Sequence, residues 1–316
     1  MTVREYRRGE SNGVAVLWQR NPSKEFPVLG LNPMVVGEVL RRTERPMVRF
    51  IVGLARLFGR PIFVMFVVDL NGRVMGTTLL SFTREAGYVS GVVVDSTVRR
   101  QGHARAMLAA CDETCRRYHR PYVVLDVLAQ NDPAIQLYDR WGYQPLRDQF
   151  WMARPLGSGA PSIPPPSGTT RIRPFQPSDG VPLAAAENAL MPPEVRAVVP
   201  RHPDEFRPPG VSQSLLESQT SSWVAEVDGR PVGFLAASVS RLMEAGNLSS
   251  PVFRGDASET VMQDLLGTAL RWAEAQRVPR IVTGIAQHQL PARPVLEAAG
   301  FAEEFRIHTM VHRLAA

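Results

Sequence analysis

The sequence is nearly devoid of lysine and has little cysteine. Of its 36 basic residues, only Lys24 is a lysine, which leaves no GK[ST] phosphate loop and hardly a candidate for a Schiff-base lysine. The two cysteines, Cys111 and Cys115, are four residues apart in a helical pattern. That spacing suits neither a disulfide framework nor a C-x-x-C metal or redox site, so we interpret both as core residues. Any phosphate binding must therefore use arginine or backbone amides.

Histidine and long apolar runs are also scarce. Among six histidines only His308 and His312 are close together, in a predicted terminal strand without an adjacent acidic or thiol ligand, so we expect no metal site. The most apolar stretch, 47–70, is interrupted by three arginines and a proline, too many for a membrane span. Residues 1–10 are polar and charged, unlike a signal peptide. We therefore expect a cytoplasmic protein with no membrane partner.

The chain divides into two related halves. Its 316 residues suggest two domains, and residues 157–168 are rich in Pro, Gly and Ser, which is typical of a linker. Each half has two apolar runs around a hairpin turn, Asn71-Gly72 in the first and Asp228-Gly229 in the second. Near the end of each half, residues 121–143 align without gaps on residues 279–301. We predict a domain at 1–156, a linker at 157–168 and a related domain at 169–316.

The periodicity of the first half predicts a mixed α/β domain. Predicted strands are Thr2–Arg7, Ile62–Asp69, Val74–Phe82, Tyr88–Val94, Tyr122–Leu128 and a last strand near Gln149–Ala153; predicted helices are Asn12–Arg20, segments within Met34–Leu57, Arg100–Tyr118 and Pro133–Trp141. The strands on either side of helix 100–118 are near-continuous runs of Val and Leu. Such runs are typical of strands buried on both faces of a sheet.

A buried strand, Val92–Val94, leads through a short basic turn directly into a helix. The first amides of a helix have no intrahelical partner, and the helix dipole favours an anion there. Gly102 and Ala104 have little or no side chain, so a diphosphate could approach the backbone. Arginines at positions 99, 100 and 105 add positive charge. The alternative is an exposed basic helix start that binds nothing.

Two sequence blocks together resemble the GCN5-related N-acetyltransferase (GNAT) superfamily. Arg99-x-x-Gly102-x-Ala104 matches the family pattern [Q/R]-x-x-G-x-[G/A]. Residues 125–143 match the pattern L-E-V-x-x-x-N-x-x-A-x-x-L-Y-x-x-x-G-[F/Y], departing from it chiefly in Asp126 for Glu. The resemblance covers roughly residues 1–156, and the weaker repeat makes the chain similar to a tandem acetyltransferase. It implies two tandem folds, each a mixed, mostly antiparallel twisted sheet flanked by helices, with a splay between the two central strands.

The resemblance implies acetyl-CoA as co-substrate and no metal. Acetyl-CoA would lie in the splay between strands 92–94 and 123–128, with pantetheine on the backbone of Val92 and Val94 and the diphosphate on the amides of 100–105. The implied binding residues are Val92, Val93, Val94, Arg99, Arg100, Gln101, Gly102, His103, Ala104, Arg105 and Asn131. For Asn131, a position beside a helix N-cap is an equal alternative.

The resemblance also implies two catalytic residues. Tyr138 matches the general acid that protonates the leaving CoA thiolate, since a phenol with a pKa near 10 stays protonated at neutral pH. The alternative is an aromatic side chain packed in the core. Asp126 matches a glutamate described as the base that accepts the proton of the amine, directly or through a water. Glu85, Asp95 and a water chain are the other candidates, and Asp126 could instead be a satisfied carboxylate at a strand end.

The second half lacks these residues. Arg99, Gly102 and Ala104 align with Ala257, Thr260 and Met262, and Asp126, Asn131 and Tyr138 align with Gly284, Gln289 and Leu296. Met262 would intrude where a diphosphate must approach, and a leucine cannot protonate a thiolate. We therefore predict that the second domain keeps the fold without catalysis. The predicted function is N-acetylation of a small-molecule or peptide amine, and the alternative is an acetyl-CoA-binding regulatory or scaffold module.

The distribution of charge agrees with a nucleotide cofactor. The net charge is +6, but residues 1–156 hold 22 basic against 14 acidic residues, and the remainder holds 14 against 16. No arginine cluster interleaved with aromatic residues is present, so we expect no nucleic-acid partner. Arg49, Arg56 and Arg60 form a helical face that could meet an acidic acceptor, although a solvated face is the favoured interpretation.

Overall fold

The computed structural model describes residues 2–22, 33–59, 61–157, 159–163, 165–207, 217–255 and 257–315. Lys24 and Arg60 lie outside the described residues. The chain forms two compact units. Unit 1 consists of the described residues up to Leu146 together with the C-terminal segment from His308, and unit 2 of Arg147–Ile307.

Unit 1 is a mixed sheet with helices, as predicted. Its strands are β1 (Thr2–Glu5), β2 (Phe63–Leu70), β3 (Arg73–Phe82), β4 (Ala86–Val94) and β5 (Tyr122–Leu128), and its helices are α1 (Ser11–Arg20), α2 (Pro33–Thr43), α3 (Pro46–Leu57), α4 (His103–Arg117) and α5 (Asp132–Trp141). The strands lie in the order β1-β2-β3-β4-β5, antiparallel except for the parallel pair β4 and β5. The turn residues Asn71 and Gly72 both have positive φ, as the hairpin signal predicted.

The core of unit 1 forms between α4 and the central strands. Leu108, Cys111 and Cys115 on one face of α4 are fully buried with residues of β5. Both cysteines are free thiols, which confirms that they are core residues. Burial raises the pKa of both thiols, that of Cys115 to about 12. At neutral pH both are therefore uncharged packing groups.

The remaining elements are β6 (Gln144–Pro155), β7 (Arg171–Pro174), α6 (Gly180–Leu190), α7 (Pro193–Val198), β8 (Ser218–Val227), β9 (Arg230–Ser240), β10 (Gly246–Leu248), β11 (Val252–Phe253), α8 (Glu259–Ala275), β12 (Arg280–Ala286), α9 (Arg293–Ala298) and β13 (Ala302–Arg313). In unit 2 the strands follow the order β6-β12-β10-β9-β8-β7, and β11 pairs with β9. Within the described residues of this unit, β10 and β12 pair in parallel, and the pairs β6–β12, β9–β10, β9–β11, β8–β9 and β7–β8 are antiparallel. The apolar face of α8 fills the core against these strands.

The last strand of each sequence repeat belongs to the unit built from the other repeat. From Arg147 onward, β6 lies in unit 2, where it pairs antiparallel with β12 from Gln149↔Ala286 to Pro155↔Arg280. From His308 onward, β13 lies in unit 1, next to β5. The units therefore differ from the sequence domains 1–156 and 169–316. Periodicity identified these strands, but it carries no information on which strand each one pairs with.

The Pro, Gly and Ser-rich segment is anchored, although its composition offered nothing that could hold it to a core. The guanidinium of Arg154, which is fully buried, donates a hydrogen bond from Nε to the carbonyl of Ala299 at 2.7 Å and a second from Nη2 to the carbonyl of Pro161. The amide of Ser167 donates to Asp264 Oδ1 at 2.7 Å. The segment is thus anchored by its backbone carbonyls and amides, by the Ser167 hydroxyl, which also donates to Asp264, and by Ile163, which packs against the core of unit 2.

Replacement of Arg154 by Met should destabilise unit 2. The methionine fills much of the same volume, but it leaves the Ala299 carbonyl without its donor in a buried place, at a cost of about 1–3 kcal/mol, and it removes the part-buried hydrogen bond to the Pro161 carbonyl. Burial lowers the pKa of Arg154, so relief of its desolvation offsets part of this loss. We expect the free energy of unfolding in urea to fall by about 2 kcal/mol.

Arg280→Met is the matched control for that measurement. Arg280 lies opposite Pro155 on the neighbouring strand, and its guanidinium is 3.5 Å from Glu304 in a partly exposed ion pair. Exposed ion pairs contribute about 0–1 kcal/mol. Equal losses in the two variants would contradict the anchoring role of Arg154.

Candidate functional site

A cleft of about 600 Å³ lies in unit 1 where β4 and β5 separate. The parallel pairing of the two strands runs from Ala86↔Tyr122 to Val89↔Leu125 and ends there, while β4 continues to Val94. Residues 92–94 line the cleft. This is the predicted splay between the central strands. It leaves backbone groups of β4 without hydrogen bonds to β5.

A β-bulge at Gly91 produces the separation. Thr77 of β3 faces Val93 and Leu79 faces Ser90, so β4 has one residue more than β3 over this stretch. Gly91 has a φ of +61°, and a Cβ there would lie 2.8 Å from the Trp18 ring. Only glycine fits both constraints. An extra residue bends the strand and strengthens its twist, which turns the end of β4 away from β5.

The turn after β4 is built on Asp95. This buried carboxylate caps the 3₁₀ turn Ser96–Val98, accepting hydrogen bonds from the Thr97 amide at 3.1 Å and the Thr97 hydroxyl at 2.6 Å. These hydrogen bonds lower the pKa of Asp95. Asp95 does not line the cleft, and its low basicity suits a structural cap better than a catalytic base.

Glu85, the other alternative base, lies at the far end of β4. It precedes the strand in the turn that joins β3 to β4. Seven residues of extended chain separate it from Val92, a distance of about 23 Å at 3.3 Å per residue. Glu85 is therefore remote from the cleft.

The basic turn ends in two residues with left-handed backbone, Arg100 at φ +64° and Gly102 at φ +86°. The sequence pattern predicted that helix α4 begins at Arg100. Because of this backbone conformation, it begins at His103. Its first hydrogen bond runs from the Ala106 amide to the Gly102 carbonyl at 3.0 Å, so the preceding amides have no partner within the helix. A Cβ at Gly102 would meet no atom within 4 Å, so open space adjoins this backbone.

The cleft is positively charged. Arg99, Arg100, Arg105 and Arg140 line it, and none of its lining residues is acidic. Within the described part of the chain, Arg100, Arg105 and Arg140 are exposed and form no ion pair with a carboxylate. Three exposed cations beside unpaired helix amides form a strong anion-binding surface.

Arg99 has a different position from the other arginines. Its Nε donates to the Val94 carbonyl at 3.0 Å and its Nη2 to the Asn21 side chain at 2.7 Å. It thus holds the end of β4 to the residue that follows α1. Its side chain fixes the shape of the cleft wall, and the Val94 carbonyl expected to face pantetheine already accepts one hydrogen bond.

Ten of the eleven predicted binding residues line this one cleft. They are Val92, Val93, Val94, Arg99, Arg100, Gly102, His103, Ala104, Arg105 and Asn131. Gln101 does not line it; its exposed side chain lies 3.4 Å from His103 Nε2. Asn131 also caps α5, since its side chain accepts a hydrogen bond from the Ala134 amide at 3.4 Å.

Sequence reasoning missed several residues of the cleft. Asn21 and Pro22 enter it from the end of α1, and no sequence signal links them to β4. Arg140 lies two positions after Tyr138, within the block that resembles the family but at a position its pattern leaves open. The positive charge of Arg140 and its position on α5 are the sequence features that could have indicated a residue of the cleft.

Tyr138 faces both the core and the cleft. It is 6% exposed, packs in a cluster with Leu108 and Val127, and lines the cleft. Its ring centroid lies 5.8 Å from that of Tyr143. Tyr138 is thus packed in the core, as the structural alternative predicted, and it also lies at the cleft.

Asp126 does not line the cleft. Val123, Leu125 and Val127 of β5 pack in the same core cluster as Tyr138, and side chains alternate along a strand, so Asp126 lies on the opposite face. Its Oδ1 accepts a hydrogen bond from the Thr309 hydroxyl at 2.7 Å, and its Oδ2 accepts one from Tyr88. The structure therefore separates Asp126 and Tyr138 onto two faces of the splayed sheet.

The corresponding place in unit 2 is filled. Met262, Ala292 and Leu296, which align with Ala104, Ala134 and Tyr138, line a cavity of only about 10 Å³ with other apolar residues and Thr283. Gln289, at the position of Asn131, is buried and donates to the Pro251 carbonyl at 3.1 Å. In unit 2 the residues that bind acetyl-CoA in the prediction are thus replaced, and the cleft that would hold it is absent at this place.

Other candidate groups have structural partners. Arg56 forms two hydrogen bonds with Glu5, at 2.9 and 2.6 Å, and a third with the Tyr118 hydroxyl at 3.1 Å. Arg49 is exposed. Among the residues described here, no group of three or more His, Cys, Asp and Glu side chains is arranged to hold a metal ion. Nor does any helix in the described ranges have the length and apolarity needed to cross a membrane.

Comparison with known proteins gives a family match for part of the chain and a fold for the whole of it. Residues 39–143 match the model of the acetyltransferase (GNAT) family. The chain is similar to a tandem GNAT protein from the clavulanic acid biosynthesis pathway, with 15% identity, a TM-score of 0.68, and coverage of 100% of this chain and 99% of that one. None of the curated proteins matches the sequence.

Two further solved structures have the same fold. A GCN5-related N-acetyltransferase from Sphaerobacter thermophilus is 16% identical, with a TM-score of 0.65 and coverage of 100% of this chain and 96% of that one. A glucosamine N-acetyltransferase region of a fungal multi-domain β-N-acetylglucosaminidase is 12% identical, with a TM-score of 0.68 and coverage of 98% of this chain and 38% of that one. The tandem GNAT fold therefore extends over the whole chain.

Proposed function

We propose that this chain is an N-acetyltransferase with its single site in unit 1, because residues 39–143 match the model of the acetyltransferase (GNAT) family. It transfers the acetyl group of acetyl-CoA to a small-molecule or peptide amine through a ternary complex. The observation that carries the proposal is the basic 600 Å³ cleft at the splay, which is lined by ten of the eleven binding residues that the resemblance implies.

The turn before α4 suits the diphosphate of CoA. The amides of 102–105 lack helix partners, the space beside Gly102 is open, and the exposed guanidinium groups of Arg100, Arg105 and Arg140 border the same cleft. No carboxylate lines it to oppose an anion. Beyond Val89, the backbone of β4 is free of β5 and offers its amides and carbonyls to the pantetheine amides, much as a sheet edge accepts a strand.

Bound acetyl-CoA supplies a thioester carbonyl that an amine attacks, and CoA leaves as a thiolate. Tyr138, on the core side of the splay and at the cleft, donates its hydroxyl proton to that sulfur. Asp126, on the opposite face of β5, accepts the proton lost by the amine, directly or through a water. Acid and base on two faces suit a reaction in which the two substrates approach from opposite sides of the sheet.

In this proposal unit 2 has no acetyl-CoA site of its own. The cavity of about 10 Å³ beside Met262 and Leu296 cannot admit a diphosphate or pantetheine. The second sequence repeat contributes only its C-terminal segment, from His308 onward, which belongs to unit 1.

A thiol-release assay tests the proposal. Full-length protein is mixed with acetyl-CoA and a panel of small-molecule and peptide amines, and free CoA thiol is measured against time. We expect release above the hydrolysis rate with at least one amine, together with mass-spectrometric detection of its acetylated form. Tight binding of acetyl-CoA without release on any amine would instead support the regulatory module.

A further inference from the structure

The C-terminal segment of the chain packs against the strand that carries Asp126. In unit 1 the strand order places β5 between β4 and β13. The Leu314 amide donates to the Pro121 carbonyl at 2.9 Å, at the start of β5. Residues from His308 onward, which belong to the second sequence repeat, are thus part of the first unit.

Thr309 on this segment contacts Asp126 directly. Thr309 is 1% exposed, and its hydroxyl donates to Asp126 Oδ1 at 2.7 Å across 183 residues of sequence. From the other neighbouring strand, the Tyr88 hydroxyl donates to Oδ2. Tyr88 pairs with Val124, two residues before Asp126, so their side chains share one face of the sheet. Each carboxylate oxygen therefore has a hydroxyl donor from a different strand.

We infer that Thr309 is a positioning residue of the active site, which holds the carboxylate of Asp126 in the orientation needed to accept the amine proton. This inference rests on the proposed function. Two donors on opposite sides stop rotation of the carboxylate. The second repeat, whose own cofactor place is filled, thus completes the site of the first with its last strand.

A second contact fixes the register of this strand. His312, three residues after Thr309, has its Nδ1 3.3 Å from Asp112 Oδ2 on α4, and the Trp141 indole donates to the same oxygen at 2.9 Å. The His312 ring lies 5.3 Å from that of Tyr143. Because register sets which face a strand residue occupies, these contacts keep the Thr309 hydroxyl on the Asp126 side.

Thr309→Val tests the inference in the full-length protein. Loss of a hydrogen bond to a charged group should lower kcat by about 10-fold, with little change in KM for acetyl-CoA, because Thr309 is remote from the cofactor cleft. Thr309→Ser keeps the donor and should restore most of kcat. Thr309→Ala compared with Thr309→Ser gives a second pair differing by one oxygen, should the valine variant not fold. Thr283→Val, at a fully buried threonine in unit 2, is the matched control and should keep wild-type kcat.

A double-mutant cycle separates positioning from a structural effect. If Thr309 acts through Asp126, Thr309→Val should have almost no effect on kcat in an Asp126→Asn background. This inference alone would be overturned if the wild type is active and Thr309→Val keeps the wild-type kcat. It would also be overturned if Thr309→Val lowers kcat by the same factor with Asp126 and with Asn at position 126. Failure of the wild type to acetylate any amine would overturn the proposed function and, with it, the role of Thr309.

Discussion

Tyr138→Phe should reduce kcat/KM by about 100-fold or more with every amine that the protein accepts, because general acid catalysis contributes about 10²–10⁴-fold. Phenylalanine keeps the ring that packs against Tyr143 and removes only the hydroxyl that protonates the CoA thiolate. The affinity for acetyl-CoA and the thermal midpoint should stay close to those of the wild type. Thiol release over a range of amine concentrations, with calorimetric binding of acetyl-CoA, measures both.

Tyr143→Phe is the control for that variant. Tyr143 is 3% exposed, lies next to Tyr138 in the same cluster, and its hydroxyl finds no hydrogen-bond partner within the part of the chain that the structure describes. Removal of this hydroxyl should leave kcat/KM unchanged. Wild-type turnover in Tyr138→Phe would show that another group protonates the thiolate, whereas equal losses in both variants would point to packing as the cause.

Ala104→Met should weaken acetyl-CoA binding by about 100-fold or more, which corresponds to about 2.7 kcal/mol. Unit 2 carries Met262 at the aligned position, and its side chain lines the nearly filled cavity there. The substitution therefore gives unit 1 the methionine that helps to fill the corresponding cavity in unit 2. Ala104 lies in the first turn of α4 at the cleft, where a longer side chain occupies the path of the diphosphate without entering the core. Calorimetric titration with acetyl-CoA measures the loss.

Met262→Ala is the reciprocal control in unit 2. It should leave affinity and stoichiometry unchanged, because Leu296, Phe253 and other apolar residues still fill the remainder of that place. Normal acetyl-CoA affinity in Ala104→Met would mean that the cofactor does not pass over the start of α4. Loss of binding in Met262→Ala alone would move the site to unit 2.

The sequence predicted the features that depend on local pattern. The Val-rich strand, the Gly102 turn and the start of the next helix are contiguous, so periodicity and helix-end chemistry are enough to indicate an anion site there. The bounds of α4 differ because the left-handed backbone of Arg100 depends on its surroundings and not on residue type. The bounds of β1 to β5 agreed with the prediction to within about two residues, since runs of alternating or continuous apolar residues fix them, whereas the strand predicted near Gln149–Ala153 extends over Gln144–Pro155.

Nonlocal features could not be predicted. Which strand β6 and β13 join depends on pairing across more than a hundred residues, and the two repeats have equivalent strand patterns. The contact between Thr309 and Asp126 follows from that pairing and has no local signature. In the same way, residue type alone does not show that Glu85 lies at the far end of β4, that Asp95 caps a buried turn, or that Asp126 lies on the face of β5 away from the cleft.

A crystal structure of the full-length protein with acetyl-CoA tests the central claim most directly. We predict one cofactor per chain, with its diphosphate against the amides of 102–105, its pantetheine beside Val92–Val94 and its sulfur within hydrogen-bond reach of the Tyr138 hydroxyl. Electron density for the cofactor beside Met262 and Leu296 in unit 2, or density remote from the splay of β4 and β5, would contradict it.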